Sequence, residues 1–353
     1  MKILKYIFFL LLLCVIAGAV YIGTKNSSYD FTSQKIVNAP QDLVYSTLTN
    51  FEGLSQWNPY EKETKSFHYL PVTVKDQKMG SWEIESETYQ LETIQKIPLK
   101  KIKHQLKSPD QDTLNYEKLI WSLDKIQDTE TKIVLEVKGE LTFKDKIFQL
   151  FSDQELEEKK QRLIQRGFEK LEAYLQVKMN EYSVDIIGTT EYGGGFYMYT
   201  ATASTISAMP QKLSEMLPVV QAYVSTNNIA QTGKPFTIYN DFNTDLGTTI
   251  FSAAVPVRDR VITPANSTVL CDFMPRQRVV KTVLKGDYKY LMEAWEKTRK
   301  YLKKQHISIN TTLPAFEIYQ VDPSVQANPA EWITELYIPI QTTDKPQIES
   351  TLP

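Results

Sequence analysis

One short pattern occurs twice in this chain and constrains its fold more than any other feature. Phe236-Thr237-Ile238-Tyr239 is answered 80 residues later by Phe316-Glu317-Ile318-Tyr319. Ala254-Val255-Pro256-Val257 is answered 83 residues later by Tyr337-Ile338-Pro339-Ile340. An amphipathic helix precedes each Phe-x-Ile-Tyr segment. The first carries Leu213, Met216, Leu217, Val220, Tyr223 and Val224 on one face, with Pro218 expected to kink or split it. The second starts near Asp287, a good N-cap, and carries Tyr288, Leu291, Met292, Trp295 and Leu302. Each half reads strand, helix, strand, strand. Two such halves are expected to pair about a pseudo-two-fold axis into one α+β unit with a cleft along that axis.

The duplication accounts for under half of the 353 residues, so a second module precedes it. A run from Phe31 to Val37 leads into Asn38-Ala39-Pro40 and a helix bearing Leu43, Val44, Tyr45 and Leu48. Phe51 to Tyr60 follows, with Trp57-Asn58-Pro59 as a turn. Trp82, Ile84 and Ser86 alternate with Glu83, Glu85 and Glu87. Leu119, Trp121 and Leu123 alternate with polar neighbours. Ile133, Leu135, Val137, Leu141 and Phe143 lie opposite Glu136, Lys138 and Glu140. This period of two marks a half-buried antiparallel sheet. A long helix then carries Leu156, Leu163, Ile164, Phe168, Leu171 and Leu175, with i,i+4 pairs Glu155–Lys159 and Glu158–Arg162.

The stretch KIVNAPQDLVYSTLTNFEGLSQWNPY and the closing helix resemble the START-like (SRPBCC, polyketide-cyclase-like) superfamily. That resemblance implies a curved sheet gripping the long helix around an apolar cavity for lipids or other hydrophobic ligands. The stretches LKGDYKYLMEAWEKTRKYL, PAFEIYQVDP and TELYIPI resemble the GyrI-like, effector-binding family. This implies a small-molecule site, often for aromatic or cationic drugs, between the two halves. The resemblance also implies an acidic site residue in the last strand, here Glu335. The position matching it in the first half is Ser252. A carboxylate in an apolar cleft either takes up a proton or awaits a cation. Tyr337 shares its strand face, and Tyr288, Trp295 and Phe236 are the expected ring walls. The alternative is an edge glutamate paired with Lys or Arg. The family's helix-turn-helix partner is not visible here.

From Ile3 to Ile22 the chain is apolar except for Lys5, long enough to span a bilayer. Lys2 and Lys5 before it are expected to hold the N-terminus in the cytoplasm and send the remainder outside, to the periplasmic side of the cell envelope. Ala17-Gly18-Ala19 leaves open a cleaved signal peptide. Residues 1–24 are thus expected as anchor or signal, 29–180 as the START-like module, 181–195 as a Gly188 and Gly193-Gly194-Gly195 linker, and 196–342 as the GyrI-like module.

A net charge of −2 gives no footprint for nucleic acid. Lys100, Lys101 and Lys103 read as a solvated strand face. Cys14 and Cys271 set no disulfide or metal spacing, and His68 and His104 stand alone. The three glutamates 83, 85 and 87 read as solvated. No cofactor or catalytic set is expected. The leading expectation is a membrane-anchored protein that binds or senses small hydrophobic or cationic ligands. The alternatives are hydrolysis of electrophilic small molecules through Glu335, and lipid binding or transfer by the first module.

Overall fold

The computed structural model describes residues 2–24, 28–51, 53–58, 68–74, 77–84, 87–107, 116–141, 145–147, 156–243 and 245–341. Pro59, Tyr60, Glu85, Ser86, Phe143 and Glu155, named above, lie outside them. The chain is α+β and divides into two compact units, Met1–Lys178 and Met179–Pro353. Helix α1 (Lys2–Thr24) opens the chain. Its segment Lys5–Thr24, of mean hydropathy 2.6 and with none of its surface buried, is long and apolar enough to cross a membrane.

In the first unit, β1 (Ser28–Val37) runs into α2 (Gln41–Asn50) and α3 (Leu54–Trp57). Pro40, with its fixed φ, sits at the N-cap of α2, which buries Val44, Thr47 and Leu48. A meander follows: β2 (His68–Val74), β3 (Gln77–Ile84), β4 (Glu87–Ile97), β5 (Lys101–Lys107), β6 (Glu117–Gln127) and β7 (Glu130–Glu140). The sheet order is β1-β7-β6-β5-β4-β3-β2, so the first strand pairs with the last. Ile133, Leu135 and Val137 are buried along β7, as period two demands. Glu83 and Glu87 do not share a strand. Ile84 pairs with Glu87 across the β3–β4 hairpin, which breaks the expected three-glutamate face.

Helix α4 (Leu156–Met179) buries Leu163, Phe168, Leu171, Tyr174 and Leu175. The Phe168 ring meets Trp121 of β6 edge-on at 6.2 Å. Ion pairs Lys35–Glu172 (3.0 Å) and Lys160–Glu117 add polar ties from the helix to the strands. Between helix and sheet lies an apolar pocket of about 80 Å³, lined by Trp57, Trp82, Trp121, Leu135, Leu163 and Phe168 among others. That volume is below the roughly 300–1,000 Å³ usual for a drug-sized ligand and falls short of the ligand cavity expected there.

The second unit holds β8 (Ser183–Tyr192), β9 (Gly195–Thr205), α5 (Met209–Thr226), β10 (Phe236–Asn243), β11 (Thr248–Val257), β12 (Leu270–Met274), β13 (Gln277–Lys285), α6 (Leu291–Lys304), β14 (Ala315–Val321) and β15 (Ile333–Pro339). The order is β12-β9-β11-β10-β14-β15-β13-β8, all antiparallel. Residues 181–195 are therefore not a linker. Most of them form β8, paired along its length with β13. Pro218 does not split the first helix, which runs from Met209 to Thr226 with the proline accessible at the rim of a cleft beside Leu217.

The register locates the symmetry. In the central pair Phe236 faces Ile318, Thr237 faces Glu317 and Ile238 faces Phe316. The pseudo-two-fold axis therefore passes between Thr237 and Glu317, the matching positions of the two repeats. Each half also exchanges its first strand. β8 of the first half pairs with β13 of the second, and β12 of the second pairs with β9 of the first.

Candidate functional site

Alternation along the central strands assigns their side chains to two faces. Phe236, Ile238, Phe316, Ile318 and Tyr337 pack with Tyr197, Ala254, Met274 and Val279 on one face. Tyr239, Ala315, Glu317 and Tyr319 lie on the other, under the helices. There α5 contributes Met209, Leu213 and Leu217, and α6 contributes Leu291, Met292, Trp295 and Arg299. These residues line an open cleft of about 670 Å³, together with Tyr288, Phe242 and Asp322. A volume in this range suits a drug-sized ligand, for which about 300–1,000 Å³ is usual.

Glu317 sits at the sheet side of this cavity with 1% of its surface exposed. The Trp295 indole N–H donates to its Oε1 at 2.5 Å. The Tyr319 hydroxyl donates to Oε2 at 3.2 Å, and Tyr239 adds a third hydrogen bond. The Thr237 hydroxyl lies 2.8 Å from the Tyr319 oxygen. The symmetric tyrosines 239 and 319, one from each half, thus converge on a single acid, and the position facing that acid carries only a hydroxyl. Among the described residues no Lys, Arg or His lies within ion-pair distance of Glu317. Burial pushes its carboxyl above the usual range, against the pull of the Trp295, Tyr239 and Tyr319 hydrogen bonds. Desolvation and the nearby carboxylate likewise hold the Tyr239 and Tyr319 phenols neutral.

Two of the expected ring walls, Tyr288 and Trp295, line this cavity. Tyr288 packs on Tyr319 at 5.6 Å and on Trp332 at 4.8 Å. The other three expected site residues do not line it. Phe236 and Tyr337 are buried on the opposite sheet face. Glu335 shares that face with Tyr337, whose hydroxyl donates to it at 2.7 Å. It is ion-paired with Lys281 at 2.7 Å and accepts from Gln320 at 3.0 Å. Burial opposes its ionisation, but those hydrogen bonds outweigh burial and hold its carboxyl below the usual range. Glu335 is thus paired with Lys281 on a strand interior to the sheet, between β13 and β14, and its lowered pKa is the reverse of what a general base requires.

The acid on the sheet side of the cavity is Glu317, which the sequence reading did not name as a site residue. A signal was present, because the two Phe-x-Ile-Tyr segments differ at that position alone. Among the described residues no group of three or more His, Cys, Asp or Glu could hold a metal ion.

The second unit is thus an α+β domain with an open, acid-bearing cleft lined by aromatic rings. Within it, residues 201–341 match the model of the GyrI-like small molecule binding domain. No match was found among curated proteins. Three solved structures resemble parts of the chain. The C-terminal domain of EcmrR is 17% identical at a TM-score of 0.39, over 45% of this chain and 98% of that one. SAV2435 bound to tetraphenylphosphonium is 12% identical at 0.33, over 46% and 94%. The Zhui aromatase/cyclase from Streptomyces sp. R1128 is 13% identical at 0.33, over 43% and 96%. At these scores the likeness carries no argument about either unit.

Proposed function

We propose that the second unit binds a bulky apolar cation, with the charge held at Glu317 and the rings against Tyr288, Trp295 and the apolar face of α5. One observation carries this reading: a fully buried carboxylate without a cationic partner among the described residues borders a ring-lined cavity. Burying an unpaired carboxylate costs several kcal/mol. A bound cation offsets that cost, and each facing ring adds about 0.5–2 kcal/mol. The match to a small-molecule-binding family over residues 201–341 supports the same reading. Titration of the full-length protein with tetraphenylphosphonium, followed by tryptophan fluorescence, tests it. Binding should weaken about tenfold or more in Glu317→Gln, the ordinary scale for a buried charge pair. Equal binding to both proteins sinks the proposal.

The remaining chain extends this to an anchored receptor or sensor of the cell envelope. Helix α1 supplies the span, and Lys2 and Lys5 favour a cytoplasmic start. A START-like identity for the first unit is supported by the pairing of β1 with β7 and by α4 packed against the sheet.

A further inference from the structure

Arg299 is the charge that a plain cation site does not explain. It lines the same cavity, two turns beyond Leu291 and one beyond Trp295 on α6. Its guanidinium carbon stands 5.9 Å from the Trp295 ring centre and 6.0 Å from that of Phe242. It has no hydrogen bond or ion pair to any described residue. Asp322, the second acid on this wall, accepts on Oδ1 from the Ser324 amide at 2.9 Å and the Ser324 hydroxyl at 2.5 Å, and like Glu317 it has no cationic partner among the described residues. The cavity therefore keeps two acids without a counter-charge, Glu317 and Asp322, and one unpaired base, Arg299. Trp295 stands between Glu317 and Arg299, its N–H on the carboxylate and its ring beside the guanidinium.

A guanidinium beside a cation site repels a ligand that carries only positive charge. It also offers a forked set of N–H donors that match a carboxylate or sulfonate. We infer that the cavity selects amphoteric ring compounds, whose cationic end lies at Glu317 and whose anionic group pairs with Arg299. This inference rests on the cation reading above and adds the second recognition element.

Two dyes differing only in the anion supply the test: rhodamine B, which carries a free carboxylate, and its ethyl ester. The full-length protein should bind rhodamine B at least about threefold tighter than the ester, the range of a partly exposed ion pair. Fluorescence anisotropy reads both affinities. In Arg299→Gln the two dyes should bind equally, and Arg299→Glu should prefer the ester. Equal affinities in the unmodified protein, or a preference that survives Arg299→Gln, overturn the role of Arg299 while leaving the cation site standing. Failure of both dyes and of tetraphenylphosphonium to bind overturns the two together.

Discussion

At the scale of single residues, the two units handle buried titratable groups in different ways. Glu317 is surrounded by donors yet retains no counter-charge, which leaves it available to a ligand. His104 of β5 is fully buried and takes a hydrogen bond from the Trp121 indole at 3.1 Å on Nδ1, with the Phe51 ring 5.2 Å away. Burial lowers its pKa from 6.5 to about 3, with the Leu48 carbonyl opposing. The folded state therefore holds it neutral. As pH falls below 6.5 the unfolded chain takes up the proton first. Stability should then fall at up to about 1.4 kcal/mol per pH unit until the folded group also titrates near pH 3. Urea midpoints read from tryptophan fluorescence at pH 4 and pH 7 should differ more in the unmodified protein than in His104→Asn, which keeps an acceptor but binds no proton. Equal differences would refute this. None of this was legible in the sequence, where His104 stood alone. Its burial follows from the strand alternation that also buries Ile102 and Leu106.

At the scale of elements, the periodic features were the readable ones. The alternation of β7, the stripe of α4 and the twin Phe-x-Ile-Tyr strands needed only local spacing. The face assignment of β15 did not follow from spacing, because Glu335 and Tyr337 share a face whichever face meets the helices. Tertiary packing decides that, since Leu336 and Ile338 pack with Ala294 and Trp295 of α6. The triple glycine misled for a related reason. It reads as a joint, but Gly194, at φ +74, forms the tight turn between β8 and β9. A Cβ there would run into the carbonyl oxygen of Met274, at the neighbouring β12–β13 turn. Gly194→Ala should destabilise the second unit by about 2 kcal/mol or more, from backbone strain and that collision. Gly193→Ala meets nothing within 4 Å and should be near neutral. Chemical denaturation followed by far-ultraviolet circular dichroism separates the two, and equal midpoints would refute the argument.

At the scale of the whole chain, α1 is the element with no burial of its own, and water is a poor solvent for it. The full-length protein should sediment with membranes and resist extraction by carbonate, whereas a chain lacking residues 1–24 should stay in the supernatant. Recovery of the intact chain in the soluble fraction would contradict the anchored reading. Strand exchange between the two halves of the second unit has a further consequence. A fragment cut between the repeats retains β8 but loses β13, the strand it borders, and exposes the flank of β9 that β12 covers. Such a piece is an unfinished sheet rather than a smaller protein. It could complete itself only by recruiting a twin, and that homodimer would carry either two facing threonines or two facing glutamates at its centre, never the single acid that breaks the symmetry of the joined halves.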